Sequence, residues 1–253
     1  MFHEYIFRPL YNLLIGIMNV LPGIDVGIAV VIFTIIVRLI LFPLSKNSLL
    51  TQVKMKEVEP EANKIKAQYA SDKQLQSLKV MELYKQKGIK PFSGILLLFI
   101  QLPVLFALIS VFYKIIPTVD STLLYSFIHV PHAAATFLGL DITTKSLILS
   151  LFVGICQFIQ LHFSIAARQQ KAQQAKIAQT KQPAPTDFAS QMSGSMTNQM
   201  KYFLPIIAFA STYWFIPARF PQAASIVAIY WSVSALFTLA QELYIEKKFL
   251  KKI

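Results

Sequence analysis

The sequence has few of the residues and motifs on which soluble enzymes and metalloproteins depend. Cys156 is its single cysteine, which excludes an internal disulfide and a metal site built from several cysteines. Charged residues make up only 14% of the chain, whereas a soluble protein usually has about a quarter. Zinc-protease, serine-hydrolase and phosphate-loop motifs are missing, and no apolar run contains a His–Glu or Asp–His pair. We therefore expect no enzymatic activity, no catalytic residue, no metal and no cofactor.

Long apolar runs dominate the remaining sequence. Hydrophobic residues make up 55% of the 253 residues, and the mean hydropathy is +0.54. Several runs approach or exceed the roughly 18 residues that a membrane-spanning helix needs, and they are continuous rather than alternating. The pattern predicts an all-α polytopic membrane protein. Its five transmembrane helices are expected at residues 24–44, 92–113, 145–163, 202–217 and 223–244.

The basic residues are concentrated in alternate loops of this five-span arrangement. Ten lysines lie in residues 45–91, five basic residues in 164–201 and four lysines in the tail 245–253, which together hold 19 of the 24 basic residues. By the positive-inside rule these segments face the cytoplasm, whereas the N-terminus and the loop 114–144 lie outside. We attribute the net charge of +12 to membrane topology and expect no specific binding of DNA.

Residues 1–23 form an apolar segment that polar residues interrupt. Arg8, Asn12 and Asn19 divide a stretch that is already short for a membrane span. Such a segment is typical of an amphipathic helix that lies in the membrane interface. Its first residues include His and Glu instead of a basic cap, so we expect no cleavable signal.

Residues 45–91 carry the pattern of two short helices. Apolar residues three and four positions apart predict one helix from Met55 to Tyr69. Ser71 begins a capping-box pattern for a second helix, which Gly88 is expected to end. The two helices would form an antiparallel cytoplasmic hairpin. Its net positive charge suits anionic lipid headgroups and ribosomal RNA equally well.

Arg38 places a permanent positive charge inside the first predicted span. A charge at mid-membrane costs about 2.5–3.5 kcal/mol on insertion scales, so something must offset this cost. Pro43 is five residues away, about 7–8 Å along a helix, so the side chain could reach the cytoplasmic headgroups. The alternative is a water-filled cavity, because intramembrane charges usually face an interior or a cavity. Position alone favours neither explanation.

Other predicted spans carry polar and aromatic side chains that could line such a cavity. These residues are Gln101, Gln157, Gln160, Tyr230, Trp231, Ser232 and Ser234. Interhelical hydrogen bonding is the alternative role of the polar side chains, and it is the more common one. For Tyr230 and Trp231 the alternative is an aromatic belt at the membrane interface.

Several segments, taken together and in order, resemble the YidC/Oxa/Alb family of membrane protein insertases. They are TIIVRLILFPLS (34–45), EPEANKIKAQY (59–69), YKQKGIKPFSGILLLFIQLPVLFAL (84–108) and FLPIIAFASTYWFIPARFP with the later IYW and AQELYI (203–245). The resemblance covers nearly the whole chain. Because the sequence has no large outside domain, it is most similar to the short bacterial forms.

The resemblance implies a hydrophilic groove that is open to the cytoplasm and to lipid but closed toward the outside. Arg38 would line this groove, with Gln101 and Gln160 at positions that match polar residues of the family. Tyr230 and Trp231 match its aromatic pair in the last span, whereas Ser234 stands where asparagine is common. Acidic residues of an incoming chain would be attracted to Arg38, because screening is weak at that depth.

The function implied is insertion and chaperoning of nascent membrane proteins in the bacterial cytoplasmic membrane. The implied partners are the nascent chains, the ribosome, the Sec translocon and the lipid bilayer, and the protein would act as a monomer. From the residues alone, a small transporter or channel with Arg38 as an anion site remains open. Against it, no inverted repeat is visible and no acidic relay lies within the spans. An assembly factor that only scaffolds other membrane proteins is the third alternative.

Overall fold

A computed structural model of the protein describes residues 3–90, 106, 109–112, 119–131, 134–164 and 202–250. Most of the predicted span 92–113, including Gln101, lies outside the described residues. Nearly all of the predicted loop 164–201 and the last three residues of the tail also lie outside them.

The described part of the chain is mostly helical. The helices are α1 (Arg8–Val20), α2 (Val26–Ile40), α3 (Phe42–Glu57), α4 (Glu59–Gln68), α5 (Lys73–Gln86), α6 (Leu147–Phe163), α7 (202–210) and α8 (Ala224–Ile245). Short helical segments extend three of them. The π-helical turn His3–Phe7 precedes α1, the π-helical turn Ser211–Phe215 and a short α-helix, Ile216–Arg219, follow α7, and the π-helical turn Glu246–Leu250 follows α8. Short 3-10 turns occupy Ser121–Leu123 and Pro221–Ala223.

A small antiparallel hairpin, which the sequence analysis did not predict, interrupts the helical pattern. Strands β1 (Thr136–Phe137) and β2 (Leu140–Asp141) pair Thr136 with Asp141 and Phe137 with Leu140. The two turn residues between them both have positive φ, 51° and 83°. That geometry matches the right-handed twist of paired strands and defines a tight two-residue turn.

The first predicted span is bent rather than straight. The prediction was one helix over 24–44, but α2 ends at Ile40 and α3 leaves it at an angle of 60°. Pro43 explains the break, because proline has no N–H to donate to the Leu39 carbonyl and its ring would clash with that carbonyl in a continuous helix. At the other end Asp25 caps α2, its carboxylate accepting a hydrogen bond from the Ile28 amide at 2.8 Å.

Length and composition identify few membrane-spanning candidates among the described residues. One helix, Ala224–Lys248, is long and apolar enough by itself, and the bent pair Val26–Ile40 with Phe42–Met55 qualifies if it forms a single span. Helix α6 is apolar but has only 17 residues. The five-span topology and its boundaries therefore remain predictions.

The segment 45–91 contains one helical break more than expected. The sequence predicted one helix from Met55 to Tyr69, but Val58 separates α3 from α4 and Pro60 lies in the first turn of α4. Helices α4 and α5 pack against each other, and the Lys87 ammonium lies 2.9 Å from the Glu61 carboxylate across the pair. Gly88, with a φ of 64°, ends α5 as predicted. The amides of Gly88 and Ile89 donate back to Lys85 and Tyr84, the arrangement of a Schellman cap.

Helix α5 starts one residue later than the capping-box pattern indicated. Asp72, not Ser71, is the cap, and its Oδ1 accepts hydrogen bonds from the amides of Gln74 and Leu75, both at 3.0 Å. A carboxylate at this position also interacts favourably with the positive end of the helix dipole.

We expect Asp72→Ala to loosen the first turn of α5, because a lost cap costs about 1 kcal/mol. Amide hydrogen exchange in peptides that cover 73–80 should become roughly fivefold faster. Ser71→Ala is the matched control and should leave exchange in α5 unchanged. Equal acceleration by both variants would contradict the assignment of the cap.

Polar residues of α1 bind the loop that the sequence analysis placed outside. Asn12, which is only 2% exposed, donates to the Leu123 carbonyl at 2.9 Å and accepts from the Tyr125 amide at 2.7 Å. Asn19 makes the same pair of bonds with the backbone of His129, at 2.7 and 3.2 Å. The polar positions that predicted an interfacial helix are thus used to hold a loop. The interfacial location itself remains a prediction.

The core lies where α1, α2, α6 and α8 meet, and the same loop joins the starts of α2 and α8. The Val26 amide donates to the Ala134 carbonyl at 3.0 Å, and the Ser225 hydroxyl donates to the Thr144 carbonyl. Gly27 allows Phe137 to pack directly on α2, since a Cβ there would lie 2.6 Å from Phe137 Cδ2. The loop therefore anchors α2 and α8 at their first residues, which fixes the position of one helix relative to the other at that end.

Candidate functional site

Arg38 lies in the last turn of α2 and points into the interface with α8. Its Nε is buried and has no hydrogen-bond partner among the residues that the structure describes. Tyr230 of α8, which is itself buried, is close enough to interact with the guanidinium electrostatically. The next two residues of α2, Leu39 and Ile40, are exposed and present an apolar face on the other side. This position favours an interior site for Arg38 over extension toward the headgroups.

Helix α8 carries a row of buried polar groups on the face that includes Tyr230. Tyr230, Ser234 and Gln241 are four and seven residues apart, so they lie on one face of the helix. Ser234 is 4% exposed and Gln241 is 5% exposed. Within the described part of the chain, neither the Ser234 Oγ nor the Gln241 Nε2 has a hydrogen-bond partner. We call the set of Arg38, Tyr230, Ser234 and Gln241 the polar seam.

The polar seam has three buried polar atoms without a described partner, which is energetically unusual. Each such atom costs about 1–3 kcal/mol, and native proteins rarely leave several unpaired in one place. Ser232 shows the contrasting case, because its hydroxyl donates to the Ala228 carbonyl at 2.9 Å. The seam is therefore suited to hold water or a bound chain that supplies the missing partners.

Gln157 and Gln160 lie on α6, the helix that packs along α8. Both are half-buried. Gln160 follows Cys156 by one turn, and Cys156 contacts Ser232 of α8. Gln160 therefore borders the α6–α8 interface, and Gln157 directly follows Cys156 on the same helix.

The two aromatic residues of the α8 pair lie in different surroundings. Tyr230 is buried beside Arg38, whereas Trp231 is half-buried and packs on the hydrophobic core. Of the residues predicted for the site, the structure brings Arg38, Tyr230 and Ser234 together along one interface. Gln157 and Gln160 lie half-buried on α6, Trp231 packs on the hydrophobic core, and Gln101 lies outside the described residues.

The sequence analysis missed Gln241. It lies in the AQELYI segment at the end of the last predicted span, where a glutamine is easily interpreted as part of the polar end. The usable signal was its spacing, because Gln241 follows Ser234 by seven residues and Tyr230 by eleven. Those intervals keep a residue on one face of a helix.

Apolar residues cover the outward side of the helices around the seam. Helix α6 exposes Leu147, Ile148, Leu151, Phe152, Ile155 and Phe158. Helix α7 and its continuation expose Tyr202, Phe203, Ile206, Ile207, Trp214 and Phe215. A protein with apolar residues outside and unpaired polar groups inside is suited to a lipid environment.

The chemistry available in the seam is binding rather than bond making. A guanidinium attracts anionic groups, and hydroxyl and amide groups donate and accept hydrogen bonds without a strong preference for charge. Among the described residues, no group of three or more His, Cys, Asp or Glu could hold a metal ion.

Comparison with known proteins adds a family match over almost the whole chain. The profile of the family described as "60Kd inner membrane protein" matches residues 17–252.

Individual relatives include proteins of different lengths, each described as "Membrane protein insertase YidC". The protein of Fusobacterium nucleatum is 29% identical over 247 residues, which cover 97% of this chain and 98% of that protein. The protein of Campylobacter jejuni is 31% identical over 226 residues, covering 89% of this chain and 35% of that protein. The protein of Wolinella succinogenes is 29% identical over 221 residues, 87% of this chain and 33% of that protein. The chain thus spans about a third of the length of the latter two.

Proposed function

The chain belongs to the 60Kd inner membrane protein family, and from that premise we propose that it inserts nascent membrane proteins into the bacterial cytoplasmic membrane and helps them to fold. The observation that carries this proposal is the buried guanidinium of Arg38, which has no hydrogen-bond partner at its Nε among the described residues. The names of the relatives support insertion over the alternative of a small transporter or channel.

The physical role of Arg38 follows from its positive charge and from the unpaired Nε. Two unit charges 4 Å apart attract each other by about 4 kcal/mol at an effective dielectric constant of 20. A passing chain with an acidic segment would supply the missing anion for as long as the segment remains in the seam.

We propose the topology predicted from the sequence, with five spans, an outside N-terminus and a cytoplasmic C-terminus. The groove would open to the cytoplasm and to lipid. Its outer closure is supported by the hydrogen bonds that hold residues 119–131 and 134–144 to α1, α2 and α8.

The proposed partners follow from the charges and the family. The basic helices α3 to α5 and the lysine-rich tail are suited to the ribosome or to anionic headgroups. The Sec translocon is a proposed further partner, and the protein is proposed to act as a monomer without a cofactor.

Reconstitution of the purified protein tests the proposed function directly. We expect vesicles that contain the protein to protect the N-terminal segment of a single-span substrate from external protease several-fold more than protein-free vesicles of the same lipids. A scaffold without insertase activity would give no protection above the protein-free control. Ion flux without protection of the substrate would support a transporter or channel and would contradict the proposal.

A further inference from the structure

Gln241 lies near the end of α8 that approaches the junction between α2 and α3, on the helix face that also carries Tyr230 and Ser234. Tyr244 follows Gln241 by three residues, and its ring centroid is 6.1 Å from that of Phe42. Arg38 precedes Phe42 by four residues. Gln241 is thus one helical turn before this aromatic contact, whereas Arg38 lies four residues before it, across the bend between α2 and α3. Helices α2 and α8 pack along each other, and Gln241 is about 16 Å along α8 from Tyr230, the residue that interacts with Arg38.

The amide of Gln241 is not used by its own helix. Thr238, one turn earlier, donates its hydroxyl to the Ser234 carbonyl at 2.8 Å, as polar residues in apolar helices usually do. Gln241 is almost fully buried, yet its Nε2 has no partner among the described residues. Burying an unpaired amide is unfavourable, so an apolar side chain of similar size would serve the fold at least as well. A role in binding explains why a glutamine stands here.

We propose that Gln241 is a second substrate-binding residue of the seam, whose side-chain amide donates hydrogen bonds to backbone carbonyls of the polar segment that passes Arg38. This inference rests on the proposed insertase function. Every polypeptide presents backbone carbonyls whatever its sequence, and a neutral amide does not distinguish acidic from neutral segments. Gln241 would therefore contribute general affinity for an extended chain, whereas Arg38 contributes preference for negative charge.

The two roles are separated by comparing substrates that have acidic and neutral translocated segments. We expect Gln241→Leu to lower the insertion rate of both substrates by roughly fivefold, the effect of one lost hydrogen bond. Gln241→Asn, which retains the amide on a shorter side chain, should recover part of the rate. The matched control is Thr238→Val, which has the same shape as the native residue and should insert both substrates at the normal rate.

The stability of the variant separates binding from folding. Because leucine removes an unpaired buried amide, the thermal midpoint of Gln241→Leu in detergent should equal or exceed that of the native protein. Normal insertion by Gln241→Leu would overturn the proposal, and so would a loss confined to the acidic substrate. A lower thermal midpoint that accounts for the lost activity would overturn it as well.

A labelling experiment tests the site without depending on insertion. In a Cys156→Ser background, which removes the single native cysteine, Gln241→Cys should react with a membrane-impermeant maleimide from the cytoplasmic side. A bound substrate segment should slow this reaction. No reaction, or a reaction that substrate does not slow, would overturn the role of Gln241 while native insertion left the proposed function intact. Failure of the native protein to insert any substrate would remove both proposals together.

Discussion

Arg38→Ala is expected to reduce insertion of substrates with an acidic translocated segment by about tenfold or more, while neutral substrates lose much less. A tenfold loss corresponds to only about 1.4 kcal/mol. The attraction between two unit charges 4 Å apart is larger, about 4 kcal/mol at an effective dielectric constant of 20, so the expected factor is conservative. The fold should tolerate the change, since alanine removes a buried charge that has no partner at its Nε among the described residues.

The measurement is protease protection of two substrates that differ only in the charge of the translocated segment. Arg219→Ala, which removes an exposed arginine from the turn before α8, is the control for net charge and should insert both substrates normally. Arg38→Lys retains the charge but not the planar set of five donors, so partial activity would indicate that charge dominates. Equal losses for both substrates in Arg38→Ala would contradict electrostatic capture.

The second large effect is expected on stability, at Asn12. Replacing this residue with leucine leaves the Tyr125 amide without its acceptor, whereas the Leu123 carbonyl loses the Asn12 amide but keeps a hydrogen bond from Arg8 Nε at 3.2 Å. The unsatisfied amide costs about 1–3 kcal/mol and the lost hydrogen bond about 1 kcal/mol, so the total cost should be about 2–4 kcal/mol. For a chain of this size, that corresponds to a fall in the thermal midpoint of roughly 5–15 °C.

Thermal unfolding in detergent measures this effect, with Asn47→Leu as the control. Asn47 is exposed on α3, so its replacement should change the midpoint by little. An unchanged midpoint for Asn12→Leu would show that the loop 119–131 does not depend on its contacts with α1. Asn19→Leu, which removes the bonds to His129, should give a smaller fall because this site is more exposed.

Sequence patterns correctly predicted helix ends that depend only on residues close together in the chain. The end of α5 at Gly88 was confirmed, because a left-handed glycine after a helix is a local signal. The apolar spacing predicted a continuous helix through Val58, although Pro60 is a local signal for a break there. The bend after Ile40 was missed in the same way, although Pro43 was visible in the sequence.

Contacts between distant segments could not be predicted from the same patterns. The bonds from Asn12 to Leu123 and Tyr125 join residues more than 100 positions apart. The sequence identified Asn12 as polar but could not show its partner. For Arg38, the resemblance indicated a groove, whereas the pairing of α2 with α8 was needed to bring Gln241 into it.

The bend between α2 and α3 also affects the bilayer around the protein. The straight helix α2 has 15 residues, which extend about 22 Å, whereas the hydrocarbon core of a bilayer is about 30 Å thick. Helix α6, with 17 residues, is short as well. Lipids next to helices that are too short adapt by thinning. In the proposed topology, the membrane beside the polar seam would be thinner than elsewhere, so a substrate would cross a shorter hydrocarbon layer before it reaches the outside.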